Sequence, residues 1–396
     1  ELAIWINGPS AGYMLGDLGA EVIKIEQYGL GDPMRGLTRA YGYNMVLSGG
    51  RTLYFEIYNR SKKSIALDLK KEKGREVLYR LVQKSDVFFT NYSKSVMARL
   101  KADYETLSKY NPRLIYCINS GYGTKGPESE KRVFDSLVQA RSGFMMTMAG
   151  KGCQGPVRTG GAYFDQLGGT MTVYGILAAL VARERMGIGQ EIEVSMLSSA
   201  MHLQQDNVYH YLWKGESWEG HRISLGDALF NMYRCADDKW IMLSEEQSQR
   251  FWHEFCQVIG IKELEHDARF AEMDVRLEHA PELIAILEER FASKNRGDWL
   301  SLFEKRGCGF AYAAINSVAE LVNDPQVLAN DYIVEMDHPT MGRIKVPGVP
   351  VKFSKTPAEI GMPPPEFGQH VEEVLLEVGG YSWDEIVHLK EEEVIP

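Results

Sequence analysis

The sequence predicts an α/β chain: a large Rossmann-like domain built on a parallel sheet, and a smaller α+β domain. Three observations carry this. Through the first 120 residues, short apolar runs alternate with amphipathic stretches, the pattern of repeated βαβ units. One long apolar run follows at residues 170–182, stopped at Gly187 and Gly189. From Asn231 to about Phe310 the texture changes to a strand followed by amphipathic helices. At 396 residues the chain is long for one core, so two domains are expected.

Taken in order, residues 2–6 read as a buried strand, followed by a Gly8-Pro9 turn and a helix through Leu18 that Gly19 ends. Residues 21–26 read as a second strand, and 64–68, 87–90 and 114–119 continue the series. Helices over 72–83 and 104–110 fall between them. The 170–182 run, extended by Arg183, Glu184 and Arg185, reads as one buried helix, and 191–213 as a strand running into a long helix. Residues 214–226, polar and glycine-containing, read as a connection. Residues 239–243 after the Asp237-Asp238 turn read as a strand, 318–330 as helix and 347–353 as strand. Two helices close the chain, at 368–376 and 383–389. The expected divisions are 1–190 for the first part of the large domain, 191–226 for a linker helix and connection, 227–310 for the small domain, and 311–396 for the return. No repeat or low-complexity tract is evident.

Composition narrows the function. Hydrophobic content of 44% and charged content of 25% are ordinary for a globular protein. A net charge of −10 argues against nucleic-acid binding and requires local basic groups around any anionic ligand. The five cysteines, Cys117, Cys153, Cys235, Cys256 and Cys308, are odd in number and form no Cys-x-x-Cys pair. That favours a reducing, cytoplasmic setting and gives no metal site. The sequons at Asn59 and Asn91 read as chance matches without a secretory context. The strongest apolar run, around residues 173–182, is too short to span a bilayer, so no membrane partner is expected. No signal peptide is visible, and the opening at Glu1 instead of Met leads us to expect a few further native residues before it. Gly8, Gly12, Gly16 and Gly19 do not have Gly-x-Gly-x-x-Gly spacing and read as close helix–strand packing; no phosphate-binding Gly-x4-Gly-Lys loop occurs.

Asp165 is the lone carboxylate of Thr159-Gly160-Gly161-Ala162-Tyr163-Phe164-Asp165-Gln166-Leu167-Gly168-Gly169. It falls at or just before a helix N-terminus, where unpaired N–H groups and the helix dipole are expected to keep an anion ionised. Gly168 and Gly169 would let a ligand or another backbone come close. The setting suits a carboxylate nucleophile; an N-cap aspartate beside packing glycines is the other reading.

Several segments then share one pattern. They are Gly8-Pro9 with Leu18-Gly19-Ala20-Glu21-Val22-Ile23-Lys24-Ile25-Glu26, Gly31-Asp32-Pro33-Met34-Arg35-Gly36, and Asn59-Arg60-Ser61-Lys62-Lys63-Ser64-Ile65-Ala66-Leu67-Asp68-Leu69-Lys70. Ser85-Asp86-Val87 with Asn91-Tyr92, Ser120-Gly121-Tyr122-Gly123, Gly175-Ile176-Leu177-Ala178-Ala179-Leu180 and Gly368-Gln369-His370 follow in order. Together these resemble the class III coenzyme A transferases, the family of formyl-CoA, carnitine-CoA, bile-acid-CoA and aromatic-acid CoA-transferases. The resemblance implies a large domain drawn from both chain ends and a dimer of interlocked rings, formed with an identical or a similar chain. It implies an acyl-CoA and a free carboxylic acid as substrates, with Asp165 as nucleophile passing through an aspartyl anhydride and an aspartyl-CoA thioester. Backbone N–H groups of Gly168 and Gly169 would stabilise the oxyanions. CoA acts as substrate and carrier, and no metal or permanently bound cofactor is needed.

By the same resemblance, CoA contacts fall on Trp5, Ile6, Asn7, Leu67, Lys70, Asn91, Tyr92, Val96, Arg99, Arg132, Phe134 and Met196. Lys70, Arg99 and Arg132 suit phosphates, although each taken singly reads as solvated surface charge. Two departures argue against formyl or oxalate substrates: Gln27 replaces a basic CoA-contacting residue, and the formyl branch's glycine-rich loop is missing near residues 226–231. Tyr163 and Phe164 lean toward a bulkier acyl group; bulky, aromatic and dicarboxylic acids stay open. Two rivals share the fold. An α-methylacyl-CoA racemase needs a histidine where Val133-Phe134-Asp135 stands, and no histidine occurs before His202. A non-catalytic CoA-binding subunit of a heteromeric transferase needs Asp165 to be silent. His210, His221, His253 and Cys308 carry no assigned role.

Overall fold

The chain divides into two compact units, one from residues 1–145, 158–217 and 331–396 and the other from 146–157 and 218–330. The structure, a computed structural model, describes residues 1–149, 154–217 and 227–396. Cys153, His221 and the end of the expected connection, 218–226, lie outside the described residues.

The first unit opens with α1 (Asn7–Asp17), β1 (Ile23–Gln27), a small hairpin of β2 (Arg39–Ala40) and β3 (Tyr43–Asn44), and α2 (Leu53–Tyr58). Then come β4 (Lys63–Leu67), α3 (Glu72–Lys84), β5 (Val87–Thr90), α4 (Lys94–Arg99), α5 (Tyr104–Leu107) and β6 (Ile115–Ser120). After α6 (Asp135–Arg141) and α7 (Phe144–Ala149), the long α8 (Tyr163–Met186) leads to β7 (Gln190–Ser195), α9 (Met196–Leu203) and α10 (Gln205–Lys214).

Strands β5, β6 and β7 pair in parallel, as do β1 and β4. The chain start joins the two groups: the Leu2 N–H donates to Phe89 O at 3.0 Å, and the Ile25 N–H donates to Glu1 O at 2.8 Å. The strand expected over residues 2–6 is therefore reduced to one bridge between Leu2 and Thr90. Its physical reason lies in Asn91, whose side chain accepts from the Ile4 N–H at 3.0 Å and donates to the Ile4 carbonyl at 2.6 Å. A side chain occupies the backbone groups that a strand would pair, and α1 starts at Asn7. Gly8 and Pro9 consequently lie inside the first turn of α1, where proline's missing N–H removes no helix bond.

Side chains alternate across the central strands. Phe88, Tyr116 and Ile118 enter one core, while Phe89 and Cys117 enter another with Ala11 of α1 and Val173 and Ile176 of α8. A parallel strand covered on both sides reads as continuously apolar, which is why these runs were legible.

Helix α8 begins at Tyr163, earlier than its apolar run. Gly168 and Gly169 explain how it lies against α1: a Cβ at 168 would stand 2.7 Å from Asn7 Oδ1, and one at 169 would stand 2.6 Å from Ser10 Cβ. We expect Gly169→Ala to destabilise the fold by about 1–3 kcal/mol through overpacking, read as a lower urea midpoint. An unchanged midpoint would remove this account of the contact. By length and composition alone, α8 could cross a bilayer, contrary to the expectation drawn from residues 173–182; it packs on α1, α9, β6 and β7.

In the second unit, β8 (Met232–Arg234), β9 (Trp240–Leu243) and β10 (Tyr312–Ile315) form an antiparallel sheet in the order β10-β9-β8. Helices α11 (Ser248–Ile259), α12 (Met273–Glu278), α13 (Ala280–Phe291) and α14 (Arg296–Arg306) accompany it. An aromatic core includes Trp252, Phe255, Phe291, Trp299 and Phe303. The unit continues through α15 (Val318–Leu321) and α16 (Pro325–Ala329) to Asn330, past the expected break at 310.

Back in the first unit, β11 (Ile333–His338) and β12 (Gly342–Pro347) form a hairpin, so the strand expected over 347–353 lies earlier. Helices α17 (Val371–Glu377) and α18 (Trp383–Glu391) put Val374, Leu375, Ile386 and Leu389 into the core that holds Ile25 and Ile65. Both ends of the chain build that core.

Candidate active site

Asp165 is the third residue of α8. The N-cap, Ala162, has no side chain able to bond the free N–H groups of that turn. A carboxylate from elsewhere does so: Asp135 Oδ2 accepts from the Phe164 N–H at 2.6 Å and the Asp165 N–H at 3.2 Å. The other oxygen, Oδ1, accepts from Gln139 Nε2 at 2.6 Å, one turn along α6. Gln139 Oε1 in turn accepts from the Thr159 N–H at 3.2 Å and hydroxyl at 3.1 Å, tying down the approach to α8. Asp135 is buried and caps the helix as a local N-cap residue would.

The same arrangement changes the charge state of Asp165. Burial, and then the neighbouring Asp135 carboxylate, push its carboxyl from 3.8 up to about 8. The expected position at the helix start is correct, but the expectation that the dipole keeps the group ionised is not. Desolvation and a like charge outweigh the partial charge of one helix end. Tyr54 and Tyr58 of α2 also face this carboxylate, and burial, first, with Asp165's charge contributing, raises both phenols.

Asp165 lines a cleft of about 510 Å³ in the first unit. Of the residues expected to hold CoA, Trp5, Ile6, Asn7, Asn91, Tyr92, Arg132, Phe134 and Met196 line the same cleft. Trp5 meets Phe134 edge to face at 5.9 Å, and the Arg132 guanidinium lies 4.8 Å from the Phe134 ring centre. Asn7 is locked by reciprocal amide bonds with Asn119 at 3.0 and 2.6 Å, and Asn119 also donates to the Gly168 carbonyl. The remaining candidates, Leu67, Lys70, Val96 and Arg99, line a neighbouring pocket of about 460 Å³, and Tyr92 lines both.

Gly168 and Gly169 do not join them. Both are buried against α1 and lie beyond the turn in which the Gln166 N–H already bonds to the Ala162 carbonyl, so helix bonding consumes their N–H groups. Their assignment as oxyanion donors is corrected to helix packing. Sequence reasoning missed Asp135 as a cap, Arg75 in the smaller pocket, and Leu37, Arg39, Tyr41 and Tyr54 in the cleft; Gln27, singled out by the resemblance, lines the smaller pocket. In Val133-Phe134-Asp135 the resemblance marks Phe134, and no local signal joins Asp135 to a helix thirty residues on. Among the described residues, no group of three or more His, Cys, Asp or Glu is placed to hold a metal ion.

Comparison with known proteins gives the family. The model of CoA-transferase family III matches residues 1–371. A succinyl-CoA:glutarate CoA-transferase from Mus musculus is 35% identical over 382 residues, covering 96% of this chain and 85% of the relative. An acetyl-CoA:oxalate CoA-transferase from Acetobacter aceti is 36% identical over 358 residues, covering 89% and 87%. A crystal structure of a CAIB/BAIF family protein from Brucella suis superposes with a TM-score of 0.81 at 30% identity, covering 95% of this chain and 97% of that one. The mixed α/β chain, its matching family model and its named relatives together define an acyl-CoA enzyme. The chain belongs to CoA-transferase family III and is a class III acyl-CoA:carboxylate CoA-transferase.

Proposed function

We propose that Asp165 is the nucleophile of this transferase and that the acceptor is a dicarboxylic acid. The observation that carries the first part is one cleft holding Asp165 together with eight residues expected to contact CoA. The nucleotide end of CoA takes the smaller pocket beside Lys70 and Arg99, and the pantetheine arm passes Tyr92 into the cleft. The ionised Asp165 oxygen attacks the thioester carbon, the C–S bond breaks, and CoA thiolate leaves an acyl–aspartyl anhydride. The thiolate then attacks the aspartyl carbonyl, releasing the first acid and leaving aspartyl-CoA. An incoming carboxylate repeats these steps in reverse and departs as the new CoA ester. The thioester's free energy stays on the enzyme throughout. A carboxyl poised near 8 is more basic when ionised than one near 4, which favours attack.

The two rivals find less support. Phe134 stands in the cleft where a racemase needs its histidine, and no cleft-lining residue among those described is a histidine. A silent subunit would not need a carboxylate held at the cleft by a second buried one. Relatives named for succinyl-CoA or succinate with glutarate, from Mus musculus and Agrobacterium fabrum, support an acid with two carboxylates.

The large unit is read as the Rossmann-like CoA-binding domain, and the protein as an interlocked dimer with an identical or similar chain. Exposed Tyr174, Leu177 and Val181 along α8, with Trp213 on α10, form apolar surface suited to burial by a second copy. Among the described residues four cysteines are free, three of them buried, which fits a reducing cytoplasm.

The test of the mechanism is chemical trapping. The purified chain, incubated with an acyl-CoA and then treated with hydroxylamine, is expected to carry a hydroxamate on Asp165 alone by peptide mass spectrometry. The same reaction in heavy water is expected to leave the acyl α-carbon free of deuterium. Labelling of another residue, or α-deuterium without a second acid, would replace this mechanism.

A further inference from the structure

We propose that Arg39, backed by Arg158, forms the subsite that receives the distal carboxylate of a dicarboxylic acid substrate, an assignment that rests on the cleft being the acyl-transfer site. The β2–β3 hairpin places these groups. Arg39 pairs with Asn44 and Ala40 with Tyr43, and the chain turns through Tyr41 at φ +53° and Gly42 at φ +83°. Arg39 and Tyr41 both line the cleft that holds Asp165. The Arg158 guanidinium lies 5.0 Å from the Tyr41 ring centre, which holds a second cation beside the hairpin.

Charge makes this hairpin unusual. Three nearby arginines are taken: Arg35 pairs with Glu26 at 2.7 Å, Arg60 with Asp17 at 2.7 Å, and Arg51 with Glu56, while Arg132, against Phe134 on the cleft wall, is assigned to CoA. Arg39 and Arg158 form no ion pair among the described residues. In a chain of net charge −10, an exposed arginine on the cleft wall with no carboxylate partner, and a second beside the hairpin, are free to take an anion from outside.

Direction decides which anion. CoA reaches the cleft from the side of Tyr92, the residue shared with the smaller pocket, so its phosphates belong near Lys70 and Arg99. The acyl group lies at Asp165, and the hairpin faces the same ring, Tyr54, that Asp165 faces. A four- or five-carbon diacid joined through one carboxylate to Asp165 or CoA presents its other carboxylate to Arg39. A monocarboxylic or aromatic acid leaves that arginine without a partner.

The test compares acceptors of equal length, glutarate and pentanoate, with the full-length protein and one acyl-CoA donor. Wild type is expected to favour glutarate. In Arg39→Gln the ratio of kcat/KM for glutarate over pentanoate is expected to fall roughly 10- to 100-fold, mainly through the glutarate KM, as loss of a charge-assisted hydrogen-bond pair predicts. Arg158→Gln is expected to lower the ratio less, and Arg39→Lys to restore part of it. A ratio within twofold of wild type in Arg39→Gln, or no preference for glutarate in wild type, would overturn the subsite. Asp165→Ala separates the two readings, because its loss of transfer to both acids tests the acyl-transfer site and leaves the subsite's ratio unaddressed. CoA binding by Arg39→Gln shows that the variant is folded.

Discussion

Asp165→Ala and Asp165→Asn are expected to lower CoA transfer by at least about 10⁴-fold, the scale seen when a covalent nucleophile is removed. Folding and CoA binding should survive, because the carboxyl lines a cleft and forms no ion pair among the described residues. Stability is expected to move the other way from activity. The folded protein keeps a proton on Asp165 up to about pH 8, whereas the unfolded chain releases it near 3.8. Between those values the native state binds more protons than the unfolded state, so this group lowers stability as pH rises through the window. Asp165→Asn has no proton to lose. Its Tm should therefore exceed the wild-type Tm at pH 8 and above, and converge on it near pH 4. Near-wild-type turnover in a folded Asp165→Ala protein would refute the nucleophile. A Tm difference independent of pH would refute the buried, proton-holding carboxyl.

Asp135 is expected to give the second largest effect, and two substitutions divide its roles. Asp135→Asn keeps an oxygen able to accept from the Phe164 and Asp165 N–H groups but removes the negative charge beside Asp165. The acid limb of kcat/KM, placed near pH 8 in wild type by Asp165, should move to lower pH. It should stay above 3.8, because burial is the larger cause of the shift and is unchanged. Arg39, Arg132, Tyr41, Tyr54 and Tyr58 also surround the site, and none changes between these proteins. Asp135→Ala removes the cap as well, which costs about 1 kcal/mol of helix stability and lets the first turn of α8 shift. A misplaced nucleophile lowers kcat by roughly 10- to 100-fold at every pH. Full pH–rate profiles of both variants check this. An unmoved acid limb in Asp135→Asn would leave Asp135 with a purely structural role.

The residues themselves determined a good deal. Alternating apolar runs located β1, β4, β5 and β6 within about a residue or two, because strands buried on both faces announce themselves locally. Gly19, at φ +96°, ended α1 where its freedom from a Cβ said it would. The order of motifs along the chain led to the transferase family, and the position of Asp165 at the start of an apolar helix identified the residue to watch.

Only the tertiary structure decided the rest. Residues 2–6 have strand-like side chains, but Asn91 takes the Ile4 backbone and turns the chain into α1. Gly168 and Gly169 leave room, from sequence, for a ligand or another backbone, and packing gives that room to Asn7 and Ser10 of α1. Asp165 at a helix start reads as an ionised anion, until burial in the fold, and then Asp135 arriving from α6, raise its pKa. Arg39 on a hairpin of two short strands gives no sign of itself in sequence. The division has one physical cause. Propensity, periodicity and turn chemistry act within a few residues and leave a local trace. Desolvation, charge coupling and the lining of a cleft depend on distances through space that no stretch of sequence contains.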